Sequence, residues 1–207
     1  MKTGIVKCGY APLDLSGNTP SWGTPVYFAD AAAGTREYEA VPKGDVHTVW
    51  ANSSLVYLGA KNSGYDISLT LIDIIDDIAK KWYGDVTADI GTGQNSKTGI
   101  AESGKAMERP HFALILSEET TDGVGRTNVF FNVCAGKKPT ISGKTTEDGD
   151  WDDQFPEYEL TAAPIIDPAT DKPWVKIELP GTKNLTEITL PKKLKKALMI
   201  CSKRSVR

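Results

Sequence analysis

Tyr65-Asp-Ile-Ser-Leu-Thr-Leu-Ile-Asp-Ile-Ile-Asp-Asp-Ile-Ala-Lys-Lys-Trp-Tyr-Gly84 changes its hydrophobic period partway along. Tyr65, Ile67, Leu69 and Leu71 alternate with Asp66, Ser68 and Thr70, the period-two pattern of a half-buried strand. After Leu71 the spacing becomes helical. Ile74, Ile75, Ile78 and Trp82 fall on one stripe of a helix over about 73–83. Asp73 is placed to cap the first turn. Asp76 and Asp77 lie toward the positive end of the helix dipole and Lys80 and Lys81 toward the negative end. Gly84 supplies the left-handed residue that stops it. The unit is a strand running straight into a helix, whose apolar stripe can lie over a core.

No other stretch has a comparable helical period. Ile5–Tyr10 reads as a strand, followed by a connection crowded with Pro12, Gly17, Asn18, Pro20, Gly23 and Pro25. Val26–Ala29 reads as a brief strand and Asp30–Glu37 as a loop. Glu39–Asn52 reads as one extended stretch, with Pro42 holding its start to an edge or bend. Leu55–Leu58 is a further short run before the turn over Gly59–Gly64. Asp85–Arg109 is polar, carries Gly91, Gly93, Gly99 and Gly104, and has no sustained period; it reads as a long mobile loop. Pro110–Ser117 and Thr127–Ala135 flank the hairpin signal Asp122-Gly123. Phe155–Ala163 and Trp174–Leu179 alternate apolar and charged residues. The expectation is a mainly β domain over 1–180, a sandwich or barrel of about seven to ten short antiparallel strands with one flanking helix.

The chain has 207 residues, 40% hydrophobic and 25% charged, as an ordinary globular protein has. No apolar run approaches the ~20 residues of a membrane helix. Met1–Cys8 lacks the apolar segment of a secretory signal, so the chain reads as made in a cytoplasm, with no membrane partner. Cys8, Cys134 and Cys201 are far apart, against a disulfide framework or a zinc site. The net charge of −3 is unevenly spread. Residues 1–179 hold 16 basic and 26 acidic residues, a net −10; residues 180–207 hold 8 basic residues and Glu187, a net +7. A body this acidic repels nucleic acid. The basic extension over 181–207 has Leu194 and Leu198 among its lysines and fits a short amphipathic helix, a solvated tail, or a segment that docks on the acidic face of another copy.

Candidate chemistry is thin. Gly91-Thr-Gly-Gln-Asn-Ser-Lys-Thr98 approaches a phosphate-binding loop, but Ser96 stands where the second glycine must let the backbone approach. Asp148, Asp150, Asp152 and Glu159 match a calcium-loop spacing, yet Asp153 replaces the required glycine and no helices flank it, so it reads as a solvated acidic turn. Cys134, in an apolar strand, reads as a small core residue. Neither His47 nor His111 has a nucleophile and carboxylate beside it. No catalytic, metal or cofactor site is expected, and the chain does not read as an enzyme.

The order of features resembles a known family. Thr3-Gly4-Ile5-Val6-Lys7 leads to Tyr10-Ala-Pro-Leu13. Leu69-Thr-Leu71 runs into an acidic-start helix closed by Trp82-Tyr-Gly84. Arg109-Pro-His-Phe-Ala-Leu114, Thr127-Asn-Val-Phe-Phe-Asn-Val133, Pro139-Thr-Ile-Ser-Gly143 and Gly149-Asp-Trp151 follow. Over residues 1–180 this is similar to the major tail protein, or tail tube protein, of long non-contractile-tailed bacteriophages of Gram-positive hosts. The resemblance implies a virion protein, assembled in the host cytoplasm, whose β-sandwiches form stacked hexameric rings. The rings make a tube that guides DNA as passing cargo and meets the tape-measure protein and other tail proteins. It also implies inner strands joined between subunits, a long loop reaching the adjacent ring, and an acidic lumen. On this reading Pro42–Gly64 and Asp85–Arg109 are the segments that order on assembly, with Gly44, Asp45, Asn52, Gly64, Gly91, Gly93, Gly99 and Gly104 as candidate positions. An Ig-like or adhesin-type binding module on a virion or cell surface is the second reading.

Overall fold

The computed structural model describes residues 2–28, 34–51, 54–72, 76–93, 96–104, 108–140, 155–182 and 184–191. Ile74, Ile75, the capping Asp73, Asn52, the acidic turn over 147–153 and the basic stretch 192–207 lie outside them. Among the described residues the protein is mainly β, antiparallel throughout, with one helix.

The strands are β1 (Lys2–Asp14), β2 (Ser21–Trp22), β3 (Val26–Tyr27), β4 (Thr35–Lys43), β5 (Val46–Ala51), β6 (Ser54–Ala60), β7 (Gly64–Leu71), β8 (Val86–Ile90), β9 (Lys97–Ala101), β10 (His111–Thr120), β11 (Arg126–Ala135), β12 (Glu157–Ala162), β13 (Ile165–Asp167), β14 (Lys172–Trp174) and β15 (Lys176–Pro180), and the helix is α1 (Asp76–Tyr83). The main sheet runs β2-β1-β10-β11-β12-β7-β4, with β15 on β11 and β3 on β1. It wraps one core, so that residues of β1 and of the far strand β4 reach the same apolar cluster. No ladder joins β1 to β4 among the described residues. Tyr38 of β4 bridges instead, its hydroxyl donating to the Glu118 carboxylate on β10.

The alternation in β7 sends Ile67, Leu69 and Leu71 into this core and Asp66 outward. Helix α1 then closes one side with Ile78, Trp82 and Tyr83. Trp82 stacks on Phe112 at 4.6 Å between ring centres, with Tyr10 and Tyr158 edge-on. Offset and edge contacts of this kind add to the area an indole buries. Gly84, at φ +76°, ends the helix.

Strands β10 and β11 are buried on both faces. Phe112, Leu114 and Leu116 enter the first core, and Ala113 and Ile115 enter a second. A double-sided role of this kind turns a strand into a continuous apolar run without alternation. In β11 the register slips between Phe130 and Val133, so both of those residues face the first core, and Val129 and Phe131 the second. This bulge is where β11 exchanges β15 for β12 as its neighbour. It also turns Cys134 off the core face to a half-buried position, which corrects the core placement expected for it.

The second core carries the packed body past Pro180. Leu185, Ile188 and Leu190 cover Val129, Phe131, Ile177 and Leu179. Tyr27 fixes this strap, its hydroxyl accepting the Leu185 amide at 2.6 Å, and Lys7 Nζ donates to Asn184 Oδ1 at 2.8 Å. The domain boundary expected at 180 is therefore too early: the charge balance changes there, and the packing does not. The expected single stretch Glu39–Asn52 is likewise two strands, β4 and β5, parted at Gly44-Asp45. Pro42 sits in the edge strand β4, where its missing donor costs no ladder bond on the open side.

Burial sets an alkaline limit on this fold. It pushes the Cys8 thiol from 9.0 up to about 12, against weaker hydrogen bonds from Thr35 and the Gly9 backbone. Burial likewise raises the Tyr83, Tyr10 and Tyr27 hydroxyls above 10.0. These groups are neutral in the folded state and ionise earlier in the unfolded chain. Their contribution is fully present below pH 9 and is lost as the pH rises toward 12. The urea midpoint is expected to hold steady between neutrality and that lower limit and then to fall, and the onset should move up in Cys8→Ala. A midpoint flat across the whole alkaline range would contradict the burial of these groups.

Candidate assembly surface

The outer face of β4, β7 and β12 is acidic by register. Glu37 pairs with Thr70 and Glu157 with the same Thr70; Glu39 and Glu159 flank Ser68; Val41 and Thr161 flank Asp66. Five carboxylates thus share one exposed face, and Lys43, paired with Asp66, is the basic residue on it. Ser68 Oγ donates to Glu157 Oε1 at 2.6 Å, which ties its row to the adjacent Thr70 row. The face forms a shallow groove of about 340 Å³. Each strand shows polar or charged residues at alternate positions in the sequence, but the three strands lie far apart along the chain. Only the sheet order makes one surface of them.

The β4–β7 pair does not stop at the sheet. Ser63 N donates to the Lys43 carbonyl at 2.7 Å and Lys61 N to the Asp45 carbonyl at 3.2 Å, and the ladder then resumes as β5–β6, from Val46–Ala60 to Ala51–Ser54. This ribbon adds about 20 Å at strand rise. Among the described residues it pairs with no other strand. Its sequence includes Val46, Val49, Trp50, Leu55, Val56, Tyr57 and Leu58.

Two of the candidate glycines form the foot of this ribbon. A Cβ on Gly44 would stand 1.8 Å from the Lys61 carbonyl oxygen. One on Gly64, at φ +141°, would stand 2.2 Å from the Ala162 carbonyl oxygen. Both glycines admit a backbone approach that no side chain allows. Asp45 follows Gly44 on the ribbon side and carries the carbonyl that accepts the Lys61 amide.

The segment expected as a long loop over 85–109 contains a second ribbon, β8–β9, paired from Val86–Ala101 to Ile90–Lys97. This corrects the loop reading. An exposed hairpin buries neither face, so it leaves no hydrophobic period to read. Gly91 (φ +98°) and Gly93 (φ +62°) build its tip, Gly99 lies in β9, and Gly104 follows the strand. Val86 is 57% exposed and Ile90 79% exposed.

The cavity beside β1 and β4, about 210 Å³, is lined by Ile5, Lys7, Cys8, Phe28 and Thr35, and its Cys8 is held in the thiol form. Burial also raises Cys134. Among the described residues no three His, Cys, Asp or Glu side chains cluster to hold a metal ion, and no helix is long and apolar enough to cross a membrane. No protein-family model matches the chain, and no curated protein matches it.

Proposed function

We propose that the protein is a structural subunit that assembles with copies of itself into stacked rings, forming a tube of the phage tail type through which DNA passes. The observation that carries this reading is the β5–β6 ribbon. A two-stranded hairpin is marginal in water by itself, and its two free edges offer unpaired backbone groups to another chain. An apolar sequence on such a ribbon gains stability only when a partner covers it. A ribbon of one copy meeting a different surface of the next is a heterologous contact, which closes into a ring or extends as a stack.

The acidic face of β4, β7 and β12 suits the inner wall. Carboxylates facing a polyanion repel it, so DNA can slide without adhering. The ribbon continues the same β4–β7 pair that bears this face, so one element couples contact between copies to the wall. Sedimentation of the full chain over a concentration series tests the reading. Large species growing at the expense of monomer are expected; monomer alone at every concentration would contradict it.

A further inference from the structure

The β8–β9 ribbon leaves the body at Asp85 and returns at Glu102, the residues just outside its last ladder pair, Val86 with Ala101. Two carboxylates therefore stand across from each other at its foot, where like charges push strands apart. Lys138, in the segment after β11, lies between them. Its Nζ is 2.6 Å from Asp85 Oδ2 and 3.1 Å from Glu102 Oε2. The Asp85 side chain is only 8% exposed, so solvent screens this pairing poorly.

The body holds the lysine in place. Gly136 N donates to the Glu159 carbonyl of β12 at 2.8 Å. The Tyr83 hydroxyl donates to the Lys137 carbonyl at 3.2 Å, and the Lys138 ammonium lies 5.6 Å from the centre of the Tyr83 ring. Arg109 packs over the same ring and donates to the Tyr83 carbonyl at 3.0 Å, tying the returning chain to the end of α1. Burial by itself would lower the Lys138 ammonium, but its bonds to Asp85 and Glu102 outweigh this and hold it above the usual lysine range.

We infer that Lys138 is a clamp that closes the foot of the β8–β9 ribbon and fixes its direction, and that copies of the chain assemble through this ribbon only when the clamp is closed. The inference rests on the self-assembly reading above. Among the described residues the ribbon pairs with no other strand, and its Val86 and Ile90 are exposed, so the clamp at its foot bears on its direction. A loosely hinged arm must be ordered at each contact, and a clamped arm has already met that cost.

The test uses the full chain with Lys138→Met, the double change Asp85→Asn with Lys138→Met, and Lys138→Arg. The double change leaves no buried carboxylate stranded, so it guards against simple unfolding. Amide exchange over 86–101 is read on the monomer, and assembly is read by sedimentation. In both Met variants, exchange over 86–101 is expected to quicken on the order of tenfold while β10 and β11 stay protected, and the concentration needed for assembly should rise. Lys138→Arg keeps a cation between the carboxylates and should preserve both. Unchanged exchange in the Met variants, or an Arg variant as loose as they are, overturns the clamp. Faster exchange with unchanged assembly overturns its role in assembly. A wild-type chain that never assembles overturns the assembly half, while exchange on the monomer still decides the clamp.

Discussion

Ile78→Asp is expected to leave the purified chain unfolded at room temperature. Ile78 is 1% exposed and belongs to the core that α1 shares with β7, β10 and β12. A carboxylate there loses its hydration and meets only apolar neighbours, which costs several kcal/mol. A folded domain stands ~5–15 kcal/mol above its unfolded chain, so one such change takes most of the margin. Ile78→Val removes one methyl and should cost about 1 kcal/mol. Ile72→Asp, at a position 50% exposed on the same connection, should stay within about 0.5 kcal/mol. Urea melts followed by circular dichroism separate the three. A stable, cooperatively melting Ile78→Asp protein would show that the helix stripe does not face the core.

Removal of the β5–β6 ribbon is expected to abolish self-assembly and spare the fold. Replacing residues 46–60 with Asn-Gly joins Asp45 to Lys61, which are already paired across the ribbon. The two-residue turn has the twist such a hairpin needs. The main sheet, both cores and α1 lose none of their strands, so the thermal midpoint should move by only a few degrees. The shortened chain should sediment as a monomer at concentrations where the full chain forms large species. Normal assembly of the shortened chain would remove the ribbon from the interface, and with it the observation on which the proposed function rests.

The helix, the Asp122-Gly123 hairpin and the mainly β class could be read from the sequence because each has a local signal. Asp76 to Tyr83 repeats at helical spacing, and Tyr65 to Leu71 buries one face only. Other features depend on partners that a local window does not contain. The burial of Ile115 on the second face of β10 requires the strap at Ile188, which is distant in sequence. The bulge near Phe131 exists because β11 must meet β12 and β15 in turn. The strap itself follows a change of charge at Pro180 that mimics a domain end.

The candidate surface divides in the same way. Glycines at 44 and 64 stand out as turn residues, but their tight approach to Lys61 and Ala162 follows from strand packing. The rows of Glu39, Ser68 and Glu159 follow from sheet order. Lys138 carries no motif at all. Its place between Asp85 and Glu102 is visible only once β8 and β9 are paired.

Electron microscopy of the concentrated, purified full chain tests the central claim most directly. The account predicts rings or tubes about 100 Å wide, the scale of six domains of this size around a channel. A field of separate single domains at every concentration would contradict it.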